Sequence, residues 1–238
     1  MKNKPLIISH RGETKQYVEN TIAAAKKSIR LGATGLEIDV RQCGSGEIVV
    51  FHDFSLKRMF NKNGYVGRTD FKELKNYNYK KNGNPTEYKI DLLDEFLEIF
   101  KNTIKINLDA KTIHFFDFQF ADKLISIINN HHLFHSIWIS CFNPFLLQIL
   151  KLKSKKIQTG YLFQRTEWLH TAYDKICYTD AWHPYINIIS EKFVKRAESL
   201  GKKIFVWTVN DIETISKLKN ISVDGIITDD VKFIVDNI

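Results

Sequence analysis

Residues 35–53 read Gly35-Leu36-Glu37-Ile38-Asp39-Val40-Arg41-Gln42-Cys43-Gly44-Ser45-Gly46-Glu47-Ile48-Val49-Val50-Phe51-His52-Asp53. Two β-branched runs, 35–40 and 47–51, are separated by only six residues, two of them glycine. A crossover between parallel strands needs a dozen or more residues, so this pair must be an antiparallel hairpin. A turn centred on Gly44-Ser45 would set His52 opposite Glu37.

The rest of the chain alternates differently. Short, mostly continuous apolar runs at 6–9, 104–108, 137–141, 158–163, 185–189, 204–209 and 225–228 are strand candidates. Unbroken apolarity is expected of parallel strands covered by helices. Helical periodicity occupies 19–31, 92–101, 118–129, 144–152, 191–200, 211–219 and 231–238. Asn143-Pro144 and Asn210-Asp211 supply helix starts, and Gly32 and Gly201 fall where helices should stop. Nine strand candidates minus one hairpin arm leave eight parallel strands. The expected fold is an α/β, TIM-type (β/α)8 barrel with a β-hairpin after strand two. A polar, Asn- and Lys-rich stretch at 54–89 breaks the rhythm and is expected to be a small insertion over the barrel mouth.

Composition agrees with this picture. The chain has 238 residues, 44% hydrophobic, which suits a barrel of about 250 residues forming one domain over 1–238. Cys43, Cys141 and Cys177 are odd in number and widely spaced, encoding neither a disulfide framework nor a zinc knuckle. The N-terminal apolar run is too short for a signal segment and no 18-residue apolar run follows, so a cytoplasmic protein with no stable membrane anchor is expected. The net charge of +8 favours anionic partners. The lysines are spread along the whole chain, the pattern of a solvated coat rather than of a nucleic-acid groove.

Chemistry in such barrels gathers at the carboxyl ends of the strands. There the sequence places His10-Arg11-Gly12, Glu37 and Asp39, His52-Asp53, and Asp109 with Lys111. Glu37 and Asp39 are two apart on one strand, so both face the lumen and need counter-charge. One oxygen-liganded divalent cation, Mg²⁺ or Ca²⁺, with Asp109 as third carboxylate satisfies that need; ion pairs with Arg11 or Lys111 are the plainer alternative. His10 and His52 can exchange protons near neutrality. Arg11 and Lys111 can contact phosphate, and Trp207 can wall a pocket or join the core. Asn20 is expected to cap a helix, and His131, His132 and His135 to be solvated.

These residues resemble the glycerophosphodiester phosphodiesterase family of phospholipase-C-like barrels. The likeness runs through Ser9-His10-Arg11-Gly12, Glu19-Asn20-Thr21, Gly35 to Val40, Val50-Phe51-His52-Asp53, Asn107 to Lys111, Ser140 to Asn143, Val206 to Asn210 and Asp224 to Asp229. It implies hydrolysis of glycerophosphodiesters, small-molecule substrates, to sn-glycerol 3-phosphate and an alcohol. It further implies His10 and His52 as the acid/base pair, Glu37, Asp39 and Asp109 as metal ligands, and Arg11, Lys111 and Trp207 as substrate contacts. One departure is that Asp109 stands where the family usually has Glu. Two other readings differ in class: a barrel acting on lysophospholipid or phosphoinositide headgroups, approached through Phe54, Phe60, Tyr65 and Phe71, and a non-catalytic anion-binding or nucleic-acid-binding barrel.

Overall fold

A computed structural model describes residues 4–165, 178–218 and 221–238; Cys177 and Lys219 lie outside them. Eight parallel strands close a barrel. They are β1 (Leu6–His10), β2 (Gly35–Gln42), β6 (Lys105–Ala110), β7 (Ile137–Cys141), β8 (Gln158–Phe163), β9 (Ala181–Pro184), β10 (Lys203–Val206) and β11 (Gly225–Thr228). Each pairs with the next, and β1 closes the ring against both β2 and β11. Helices α1 (Ile22–Arg30), α4 (Leu93–Phe100), α5 (Phe118–Asn130), α6 (Pro144–Lys153), α7 (Glu191–Ser199), α8 (Ile212–Leu218) and α9 (Val231–Asn237) alternate with them. Their starts use local chemistry: the side chains of Thr21, Asp117, Asn143, Ser190 and Asp230 each accept a backbone N–H of the first turn.

The hairpin forms as expected, with β3 (Ile48–Val50) antiparallel to β2, but its register is one residue longer. Val40 faces Val50 and Gln42 faces Ile48, so Glu37 would lie across from Asp53 rather than His52. The cause is a three-residue turn: Cys43 N–H donates to Glu47 O at 2.9 Å, and Gly46 takes φ 97°, which glycine adopts without steric cost. The ladder stops at Val50, after which Phe51 N–H donates to the Asp39 carbonyl at 2.9 Å.

One strand is misplaced by the sequence reading. The run at 185–189 is a single 3₁₀ turn, Ile186–Ile188, and the strand is β9, four residues earlier. Ile186 and Ile189 are apolar because they pack into the core beneath that turn. The Ala-Trp-His-Pro strand is recognisable only by its pairing with β8 and β10.

The excursion at 54–89 carries α2 (Lys57–Phe60), α3 (Phe71–Leu74) and a small hairpin of β4 (Lys80–Lys81) and β5 (Asn84–Pro85). It has its own core, in which Phe51, Phe60 and Tyr79 stack with centroids 4.7 to 6.1 Å apart. Phe60 is therefore an anchor of the insertion, and Phe71 packs against the same cluster, whereas Phe54 and Tyr65 remain exposed.

At the opposite depth of the barrel sits a wholly buried histidine, His183. Trp138 Nε1–H donates to its Nε2 at 3.2 Å, so the ring proton is on Nδ1, which has no acceptor. Gly160 in β8 makes room for it: a Cβ there would approach Nε2 to 2.4 Å. Burial drives the His183 pKa down to about 3. Between the unfolded value of 6.5 and about 3, the unfolded chain holds a proton that the folded chain does not, so stability falls as pH drops through that window. The slope is about 1.4 kcal/mol per pH unit for one proton. Replacing His183 with Gln is expected to remove that one-proton slope, read from urea unfolding at pH 7 and pH 5; an unchanged slope would mean that His183 is not the group responsible.

Candidate active site

Strand register assembles the polar residues at one mouth. His10 is paired with Glu37 across β1 and β2, and Asp39 with Asp109 across β2 and β6. Glu37, Asp39 and Asp109 are all buried, and each offers one oxygen to a set lying within 4.8 Å of one another. Asp39 has no solvent exposure. Arg11 Nε lies 3.0 Å from its Oδ2 and Lys111 Nζ 3.1 Å from its Oδ1. Lys111 also lies 2.5 Å from Asp109 Oδ2. These cations answer Asp39 first: burial works against its ionisation, yet Lys111 and Arg11 hold its carboxyl well below the usual range. Glu37 is served less well. Burial, then repulsion from Asp39, pushes it up to about 8, and burial likewise raises Asp109.

Arg11 and Lys111 answer Asp39 best, and burial without further positive charge keeps Glu37 and Asp109 above the usual carboxylate range. Asp109 Oδ1 is buried without a hydrogen-bond donor. Hard oxygen donors with an unanswered lone pair are what a divalent cation fits, and Asp109 reaches the cluster despite its shorter side chain. Among the described residues this is the one group of three acidic, histidine or cysteine ligands close enough to hold an ion. His131 instead lies 3.0 Å from Asp94 and 3.4 Å from Glu98 of α4, away from the cluster.

The two histidines are wired alike. His10 Nδ1 is 2.6 Å from Asp229 Oδ1, with Nε2 turned toward the cluster, 3.9 Å from Glu37 Oε2. Burial lowers the His10 pKa, but Glu37 and the Asp229 bond outweigh it and the net shift is upward. His52 Nδ1 is 2.7 Å from Asp53 Oδ1. Asp53 is itself held by Arg58, whose Nε and Nη2 reach it at 2.6 and 2.7 Å while Nη1 and Nη2 fork onto Glu19. Glu19 in turn receives Arg11 Nη1 at 3.2 Å. A chain of charge thus runs from the α2 insertion to both sides of the cluster.

The sequence reading brought His10, Arg11, Glu37, Asp39, His52, Asp109 and Lys111 to the right end of the barrel. Trp207 lies at the end of β10, its Nε1–H donating to the His183 carbonyl at 2.7 Å and its ring set edge-on to Phe142 and Tyr185. Asn20 is not a cap; Thr21 is. The Asn20 amide donates to Asp39 Oδ2 at 2.8 Å and its Oδ1 accepts the Asp39 N–H at 3.0 Å. Asp229 was missed because its partner His10 lies 219 residues away. Arg58 is five residues from Asp53 but 39 from Glu19, and only the fold of the insertion lets it bridge the two. Arg41 was missed although it continues the parity of Glu37 and Asp39 on β2.

The fold and the polar mouth define a (β/α)8 barrel built around a buried acidic site. Residues 10–233 match the model of the glycerophosphoryl diester phosphodiesterase family, and the chain belongs to that family. It is 34% identical over 233 residues to a glycerophosphodiester phosphodiesterase of Caldanaerobacter subterraneus subsp. tengcongensis, covering 95% of each chain. Among solved structures, a phosphodiesterase of Oleispira antarctica in complex with the product sn-glycerol-3-phosphate superposes with a TM-score of 0.89. Identity there is 25%, over 98% of this chain and 96% of that one. A glycerophosphodiester phosphodiesterase of Thermotoga maritima gives 0.80 at 28% identity, covering 99% of both chains.

Asn20 sits at φ 59°, tolerable for Asn and strained for Ala. Asn20→Ala is expected to cost about 1–3 kcal/mol in unfolding free energy, since Asp39 keeps its burial and loses a donor. Asn20→Gly, free of backbone strain, isolates the side-chain part; full stability in both variants would refute the role.

Proposed function

We propose that the chain is a metal-dependent glycerophosphodiester phosphodiesterase, which hydrolyses small glycerophosphodiesters to sn-glycerol 3-phosphate and an alcohol, with His10 and His52 as general acid and base. The observation that carries this is the shared wiring of the two imidazoles at one acidic mouth. Family membership and the Oleispira antarctica relative bound to sn-glycerol-3-phosphate support it. Residues 1–238 act as one catalytic domain in this reading.

Glu37, Asp39 and Asp109 would hold one divalent cation, Mg²⁺ or Ca²⁺, which when bound neutralises phosphate charge and acidifies a hydroxyl in contact with it. The chain's own residues do the rest. A carboxylate at each Nδ1 fixes the tautomer with that nitrogen protonated and leaves Nε2 to take or give the reacting proton. One imidazole removes the proton from the nucleophile and the other protonates the leaving alcohol. The nucleophile is water, giving the monoester directly, or the glycerol 2-hydroxyl, giving a cyclic phosphate that water then opens to sn-glycerol 3-phosphate. Arg11 and Lys111 border the acidic cluster as donors for phosphate oxygens, and Trp207 forms an aromatic wall. No helix among the described residues is long and apolar enough to cross a membrane. The soluble substrate assigned here is consistent with a cytoplasmic location.

His10→Ala and His52→Ala should each lower kcat by about 10²–10⁴ with little change in melting temperature. The assay is release of sn-glycerol 3-phosphate from glycerophosphocholine and glycerophosphoethanolamine. Near-normal turnover in both variants would rule the proposal out. EDTA should abolish turnover and added Mg²⁺ or Ca²⁺ restore it; activity indifferent to chelation would remove the cation from the scheme. Asp229→Asn, which leaves the ring in place but discharges its partner, should lower kcat by about tenfold or more and lower the His10 pKa seen by NMR.

A further inference from the structure

Beside the acidic cluster a groove of about 720 Å³ opens between the β2–β3 turn, the insertion and the loop after β6. Arg41, Phe54, Tyr65, Arg68, Lys111 and His114 line it. It shares Lys111 with the cluster, so a substituent of a phosphodiester held at Lys111 can reach this groove.

Cations outnumber anions there, with Arg41, Arg68 and Lys111 against Asp117. Asp117 is the one carboxylate among the lining residues, and both its oxygens are used, by Thr112 Oγ at 2.6 Å and by the Phe120 N–H at 3.1 Å. Arg41 is only 4% exposed. Its Nη2 donates to the His52 carbonyl at 2.6 Å, while its Nε is buried with no acceptor. A buried guanidinium with an idle donor on the wall of a cavity is a feature that an anion satisfies.

The aromatic faces point the same way. A quaternary ammonium is usually recognised by open aromatic rings. Here the Arg41 guanidinium carbon lies 3.8 Å from the Phe54 ring centroid and that of Arg68 5.7 Å from the Tyr65 centroid. A cation of the protein already lies over one face of each ring. A choline group approaching either ring would meet the like charge of the guanidinium already stacked on it. A phosphate or carboxylate would meet Arg41, Arg68 and Lys111.

We propose that this groove is the subsite for the leaving alcohol and that it selects alcohols carrying their own negative charge, a phosphate or a carboxylate, over quaternary ammonium alcohols. The inference rests on the phosphodiesterase reading above. Burial brings the Arg41 pKa down to about 10, which leaves it charged at neutral pH.

The test compares kcat/KM of the full chain, with Mg²⁺ or Ca²⁺ supplied, on three substrates: glycerophosphocholine, glycerophosphoglycerol, and glycerophosphoglycerol phosphorylated on its terminal hydroxyl. The phosphorylated substrate should exceed glycerophosphocholine by about tenfold or more at low ionic strength, mainly through KM, and the gap should narrow with added salt. Arg68→Gln should reduce that ratio several-fold and Arg68→Glu reverse it. Arg41→Gln should do the same where its melting temperature stays near that of the wild type, and the exposed Arg68 keeps the test decisive should Arg41 prove necessary for folding. Equal kcat/KM on all three substrates, or a ratio unmoved by both Arg68 variants, would overturn the subsite and leave the activity standing. Hydrolysis of none of the three would overturn the activity and the subsite together.

Discussion

Three buried carboxylates, held close together at the ends of adjacent strands, are the constraint around which the mouth of this barrel is organised. Charged groups are costly to bury unless they are paired. Asp39, fully enclosed, draws Arg11, Lys111 and the Asn20 amide onto itself. Those partners in turn fix where β1 turns, how the loop before α1 runs, and how the chain leaves β6. Glu37 and Asp109, also buried, receive less, so both sit above the usual carboxylate range, and an added cation is what would favour their ionised forms.

The insertion is tied to the same constraint. Its aromatic stack of Phe51, Phe60 and Tyr79 secures α2 against the hairpin. From α2, Arg58 bridges Asp53 and Glu19. Burial would raise the Asp53 carboxyl, but His52 and Arg58 hold it well below the usual carboxylate range. It therefore remains an anionic partner for the His52 ring. The excursion thus orients a proposed catalytic imidazole and supplies Tyr65 and Arg68 to the neighbouring groove, so one peptide segment has both a positioning and a recognition part.

How much of the site could be read in advance depended on sequence distance. Glu37 and Asp39 share a face by the two-residue period of a strand, and His10, Asp109 and Lys111 fall at strand ends; a linear reading reaches all of them. Asp229 on His10, Arg58 on Glu19 and Asn20 on Asp39 are pairings across the closed ring or from the insertion. They follow from which strand lies beside which and from how a loop folds back, and no local period encodes that.

The sequence by itself determined the alternation of strand and helix, the hairpin after the second strand and the end of the barrel where polar residues collect. Local physics suffices for these: apolar period, capping side chains, and the short link between two β-branched runs. Tertiary structure alone decided the hairpin register, displaced by a single residue, and the identity of β9. It also decided the partners of His10, His52 and Arg41. A strand such as Ala181–Pro184 has almost no intrinsic preference to form, and it exists because β8 and β10 present unpaired edges on either side of it.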